Sequence, residues 1–142
     1  MSFSGVAITK DKEERYWKSI LIVDDDSDIS TTFKFGIENA NETGSRRVMV
    51  NTCNDPRKAL LDFQLNFNDP LLIDINMPYI DGFQLSKRIL EIDINVKICF
   101  ISSGEINQDA LREIHPSISL GCFIKKPVMI DYLVGRIMQE LD

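Results

Sequence analysis

Four short runs of nearly continuous apolar residues constrain this chain more than any other feature. Residues 19–24, 70–74, 96–102 and 121–124 are too short for ordinary helices, and each is closed by a charged or hydroxyl residue: Asp24, Asp74, Ser102 or Lys125. Unbroken apolar character over such lengths fits strands covered on both faces. A fifth run, 47–52 (Arg47-Val48-Met49-Val50-Asn51-Thr52), is more mixed and belongs at a sheet edge.

Between these runs the apolar residues recur with helical period. In the first such segment Ile29, Phe33, Gly36, Ile37 and Ala40 share a face, with the missing side chain of Gly36 letting helix and sheet approach. In the second, Asp55 is a natural N-cap and Pro56 a natural first residue, followed by Ala59, Leu60, Phe63 and Phe67. The third starts near Asp81 and buries Leu85, Ile89 and Ile92, with Asp81-Gly82 read as a turn and helix start. The last starts at Pro127 and carries the stripe Ile130, Leu133, Val134, Ile137, Met138 and Leu141. Strands alternating with helices predict parallel β-α units, and crossovers of one hand wind these into an open sheet with helices on both faces.

The pattern is weakest from Ser103 to Leu120, where residues 107–115 suggest a short helix that Pro116 should stop. Residues 1–18 read as a polar extension ahead of a single domain over 19–142. A net charge of −6 argues against a surface built for nucleic-acid phosphates. No apolar run approaches the ~18 residues needed to span a bilayer. The charged start carries no secretory leader, so the expectation is a cytoplasmic protein without membrane contact. Cys53, Cys99 and Cys122 are odd in number and widely spaced, which predicts buried free thiols rather than a disulfide or a zinc site.

In open α/β sheets, ligands gather beyond the carboxyl ends of the strands. The polar residues of interest all fall there: Asp24, Asp25 and Asp26 after the first run, Asp74 after the third, Ser102 and Ser103 after the fourth, Lys125 and Lys126 after the fifth. Carboxylates about 5 Å apart repel by about 3 kcal/mol per pair at an effective dielectric near 20. A hard divalent cation relieves that repulsion, and Mg²⁺ suits an all-oxygen set. Asp26 and Asp28 read more simply as caps of the following helix. Lys125 reads as a solvated neighbour, and His115, the single histidine, as a surface residue.

Taken in order, Ile20-Leu21-Ile22-Val23-Asp24-Asp25-Asp26, then Asp74-Ile75-Asn76-Met77-Pro78-Tyr79-Ile80-Asp81-Gly82, then Phe123-Ile124-Lys125-Lys126-Pro127 resemble the receiver domain of two-component response regulators. The resemblance implies a flavodoxin-like, doubly wound, five-stranded parallel sheet in the order 2-1-3-4-5 with about five helices. It implies that Asp74 accepts a phosphoryl group from a histidine kinase or phosphotransfer protein. Asp24, Asp25, Asp74 and the backbone carbonyl of Asn76 would hold Mg²⁺, with Asp25 a direct ligand. Ser102 and Lys126 would contact the transferred group, and a cis bond between Lys126 and Pro127 would turn the lysine inward.

Phe123 matches the family's switch aromatic, with Phe in place of the common Tyr. With no output domain after the last helix, the resemblance implies a single-domain signalling protein rather than an enzyme. Output would pass through the fourth helix, fifth strand and last helix to a protein target, with a homodimer also open. The departure from pattern between Ser103 and Leu120 falls on that surface. Two other functions compete: a haloacid-dehalogenase-like phosphatase using Asp24 and Asp26 in Asp24-Asp25-Asp26-Ser27, and a receiver-like scaffold that is never phosphorylated.

Overall fold

The computed structural model describes residues 17–40, 47–65, 69–104, 109, 113 and 122–141. Five strands form one parallel sheet: β1 (Trp17–Val23), β2 (Arg47–Cys53), β3 (Leu71–Asp74), β4 (Ile98–Ser102) and β5 (Phe123–Lys125). Their order is β2-β1-β3-β4-β5, so the mixed second strand is an edge, as its composition predicts. The helices are α1 (Ser27–Ala40), α2 (Ala59–Leu65), α3 (Gly82–Ile92) and α4 (Ile130–Leu141). Residues 107–115, Phe67 and His115 lie outside the described residues, apart from positions 109 and 113.

Alternation along the strands sorts the core into two layers. Ile20, Ile22, Val50, Leu72, Ile101 and Ile124 face one side, where Phe33 and Ile37 of α1 and Leu133 and Ile137 of α4 cover them. Leu21, Val23, Leu71, Ile73 and Phe100 face the other, beneath Phe63 of α2 and Leu85 and Ile89 of α3. Both faces of the middle strands are therefore dry, which is why their sequences show no polar alternation.

Several local expectations are corrected. β1 starts at Trp17, two residues into the segment read as an extension, while β4 starts at Ile98 and β5 at Phe123. Asp55 is the N-cap and Pro56 the first helical residue, as expected, but of a short 3-10 turn over Pro56–Lys58 that leads into α2; the Asp55 carboxylate accepts from the Arg57 N–H. α4 starts at Ile130 rather than at Pro127. Ala40 and Ile92, expected in the core, are exposed because each is the final residue of its helix. Gly36 makes room for a helix rather than for the sheet: a Cβ there would lie 2.5 Å from Cγ2 of Ile130 in α4.

The cysteine expectation is also overturned. Cys99 and Cys122 form a disulfide, and only Cys53 is a free, buried thiol among the described residues. Pairing of β4 with β5 sets Phe100 opposite Phe123, which brings the two preceding cysteines together with Cα atoms 4.7 Å apart. A separation of 23 residues does not reveal a neighbour made by strand register.

The β2 edge is occupied by side chains from α1. Lys34 Nζ donates to the Val50 carbonyl at 2.6 Å, the Val50 N–H donates to Glu38 Oε2 at 2.9 Å, and the two side chains pair at 3.1 Å.

Candidate functional site

Each strand of the middle and β5 side ends beside the same point. The last residue of β3, Asp74, is buried, and so is Asp24, which follows β1 directly. Ser102 closes β4 and is also buried. Lys126 follows β5, with its backbone N–H donating to the Ser102 carbonyl at 2.8 Å. Parallel register delivers these ends to one edge because β3 pairs with both β1 and β4, and β4 with β5.

The Lys126 ammonium stands between the two buried carboxylates, 3.0 Å from Asp24 Oδ2 and 3.5 Å from Asp74 Oδ2. Carboxylate oxygens of Asp24, Asp25 and Asp74 lie within 4.8 Å of one another, with Asp25 exposed at the rim. Among the described residues, one cation, Lys126, pairs with two of these three carboxylates. Desolvation, reinforced by the Asp24 charge, pushes the Asp74 carboxyl up to about 6, against the opposing pull of Lys126 and the Asn76 N–H. A second group with ligand-type atoms, Cys99, Cys122 and Glu140, has its two sulfurs bonded to each other.

The remaining predicted residues take distinct places. The Asn76 N–H donates to Asp74 Oδ1 at 3.2 Å, and its side-chain oxygen accepts from the Ser102 hydroxyl at 2.8 Å. Ser102 is therefore engaged with Asn76, and its Oγ also accepts from the Gly104 N–H. Asp26 caps α1, accepting from the N–H groups of Asp28 and Ile29. Asp81 caps α3 in a reciprocal box with Gln84. Phe123 stacks on Phe100, with ring centres 5.7 Å apart. Lys125 is exposed, and the Lys126–Pro127 bond is cis.

Two supporting residues escape a sequence reading. Asn54, just after β2, donates to the Asp24 carbonyl at 2.7 Å and to Ser30 Oγ at 2.8 Å, pinning the β1 end to α1. Its only sequence signal is a polar residue after a strand. Gly82 packs against the backbone at the end of β3: a Cβ there would lie 2.6 Å from the Asp74 carbonyl oxygen and 2.8 Å from Ile75 Cα. Gly82→Ala is expected to cost about 2 kcal/mol in urea unfolding, since backbone has to yield. Gly135→Ala, where a Cβ meets nothing within 4 Å on α4, should instead stabilise by about 0.5–1 kcal/mol. Equal effects of the two substitutions would contradict the close approach at Gly82.

The family model for the response regulator receiver domain matches residues 20–138. The chain belongs to this family. As a receiver domain it is 27% identical over 118 residues to the transcriptional regulatory protein PrrA of Mycobacterium tuberculosis, covering 83% of this chain and 47% of that protein. It is also 28% identical over 94 residues to the sensor histidine kinase RcsC of Escherichia coli K12, covering 66% of this chain and 10% of RcsC. The chain thus spans about half of one curated relative and about a tenth of the other. Among solved structures, the CheY-like receiver domain protein of Methanospirillum hungatei JF-1 superposes with a TM-score of 0.74 at 23% identity, covering 89% of this chain and 94% of that one. That likeness supports the doubly wound receiver fold. No helix among the described residues is long and apolar enough to cross a membrane.

Proposed function

We propose that this receiver domain accepts a phosphoryl group on Asp74 from a histidine kinase or phosphotransfer protein, and passes the change to a protein partner. The observation that carries the reading is the placement of the buried Asp74 carboxylate, with the Lys126 ammonium 3.5 Å away and Asp24 and Asp25 within reach of a shared cation. Three oxygen donors with one ammonium leave uncompensated negative charge, which fits a hard divalent cation such as Mg²⁺ held by Asp24, Asp25 and Asp74, with the Asn76 carbonyl assigned to it by family resemblance. When bound, Mg²⁺ supplies charge neutralisation for both the carboxylates and the incoming phosphoryl oxygens.

The chain's own groups do the rest. Asp74, as the ionised carboxylate, presents an oxygen nucleophile in line with the phosphorus, and positioning with electrostatic stabilisation provides most of the rate. Lys126 pairs with a transferred oxygen, moving its charge from Asp24 towards the new phosphoryl group. Ser102 leaves Asn76 and donates its hydroxyl to another oxygen, drawing the loop after β4 inward. By family resemblance Phe123, which stacks on Phe100, is the switch residue, and output passes through β5, α4 and a fourth helix that falls outside the described residues. In this reading the domain catalyses only its own modification, acts in the cytoplasm, and needs no nucleic acid or membrane.

Intact-mass analysis after treatment with acetyl phosphate and Mg²⁺ tests the assignment. Wild type should gain the mass of one phosphoryl group, Asp74→Asn should gain none, and omission of Mg²⁺ should suppress the gain. A label lost in Asp24→Asn but kept in Asp74→Asn would favour the phosphatase-type nucleophile. No label with either acetyl phosphate or a phosphorylated kinase domain would favour the scaffold.

A further inference from the structure

Cys99 and Cys122 stand apart from the acidic site and carry a chemistry of their own. Both belong to the core layer beneath α1 and α4, whereas Cys53 lies in the opposite layer. Register sets Cys99 of β4 beside Cys122, which immediately precedes β5, with Cα atoms 4.7 Å apart, within the span a disulfide requires. The strand next to their bond is the shortest in the sheet. β5 has three residues, is an edge, and has a strand neighbour on one side only. Lys126 directly follows it, so the tie between β5 and β4 bears on how firmly its ammonium is held against Asp74.

We propose that Cys99 and Cys122 are a reversible thiol–disulfide pair whose oxidised form fastens β5 to β4 and steadies Lys126. The second half of this proposal rests on the reading of Asp74 as the phosphoryl acceptor. The oxidant is a low-molecular-weight disulfide. One cysteine thiolate attacks it, forming a mixed disulfide and releasing one small thiol. The second cysteine then attacks the mixed disulfide, forming the internal S–S bond and releasing the other small thiol. Two protein S–H bonds are exchanged for one S–S bond, and the reagent's S–S bond for two S–H bonds. A reducing compartment reverses the exchange.

Both cysteines are buried, so the exchange takes place when the short β5 edge opens away from β4. Cys53 lies in the opposite core layer, where no second cysteine stands beside it among the described residues.

The full chain is incubated with oxidised glutathione or with dithiothreitol, unfolded, alkylated with iodoacetamide and weighed. The oxidised sample should carry one alkyl group, mapped to Cys53, and the reduced sample three. Three alkyl groups in both samples, or a glutathione adduct without an internal bridge, overturns the pair. The oxidised protein should melt roughly 10 °C above the reduced one, and a Cys99→Ser/Cys122→Ser variant should melt alike in both conditions. Acceptance from acetyl phosphate should be about twofold or more faster in the oxidised wild type, with no such difference in the double variant. Equal rates with the bridge present overturn the effect on Lys126. If neither form is phosphorylated, the reading of Asp74 fails, while alkyl count and melting shift still decide the bridge.

Discussion

Lys126→Met is expected to destabilise the protein by about 3–5 kcal/mol at neutral pH without divalent cations, in addition to removing most phosphoryl acceptance. The lysine side chain is 15% exposed and its two carboxylate partners 1% and 5%, so removing it strands two buried negative charges at close range. A surface ion pair would be worth far less. Two features separate this account from loss of packing by the lysine stem. Mg²⁺ should restore much of the lost stability, because it replaces the missing positive charge. The cost should also shrink on acidification, since without the ammonium the Asp74 carboxyl rises further and takes up a proton more readily. Urea titrations at several pH values with and without Mg²⁺ measure both, and a cost indifferent to pH and Mg²⁺ would assign it to packing alone.

Asp74→Asn should act in the opposite direction, raising stability by about 2–3 kcal/mol at pH 7 in the absence of divalent cations. The folded state lifts this carboxyl from 3.8 to about 6, so between those values the folded protein binds more protons than the unfolded chain. Stability attributable to the group is therefore lost as pH rises through that window, and the full cost is present above it. An amide keeps an acceptor for the Asn76 N–H while removing the charge. The gain should fade as pH drops from about 6 towards 4, where wild-type Asp74 is protonated anyway. Saturating Mg²⁺ should narrow the difference by stabilising the wild type. A variant less stable than wild type at pH 7 would show that the carboxylate is not strained by its surroundings.

The gain in stability and the loss of phosphorylation would come from one substitution. Natural sites often hold charge at a cost to the fold, and the buried Asp74 carboxylate is such a case.

What the sequence disclosed and what it withheld divide along a physical line. Asp24, Asp74 and Ser102 were legible because each terminates an apolar run, and Lys126 because it follows one by two positions; parallel strands bring all these carboxyl ends to one edge. Asp26 and Asp81 were legible as caps because capping is a local interaction over two or three residues. Contacts created by register or by loop closure left no such trace. The Cys99–Cys122 bond depends on which residue of β5 faces which residue of β4. Asn54 reaches Asp24 across 30 positions, and Gly82 owes its small size to the backbone of Asp74 and Ile75. Helix ends also misled the periodic reading: Ala40 and Ile92 continue an apolar stripe past the point where the sheet offers anything to cover it.

The pair that α1 lays across Val50 has a bearing on crowding. An unsheathed outer strand invites a foreign strand to zip onto its main chain. Here a lysine and a glutamate have already taken the outward-facing amide and carbonyl of Val50. A newcomer would have to break an ion pair and uncover charge before gaining its first rung. At its midpoint, therefore, this flank resists the first step of fibrous growth.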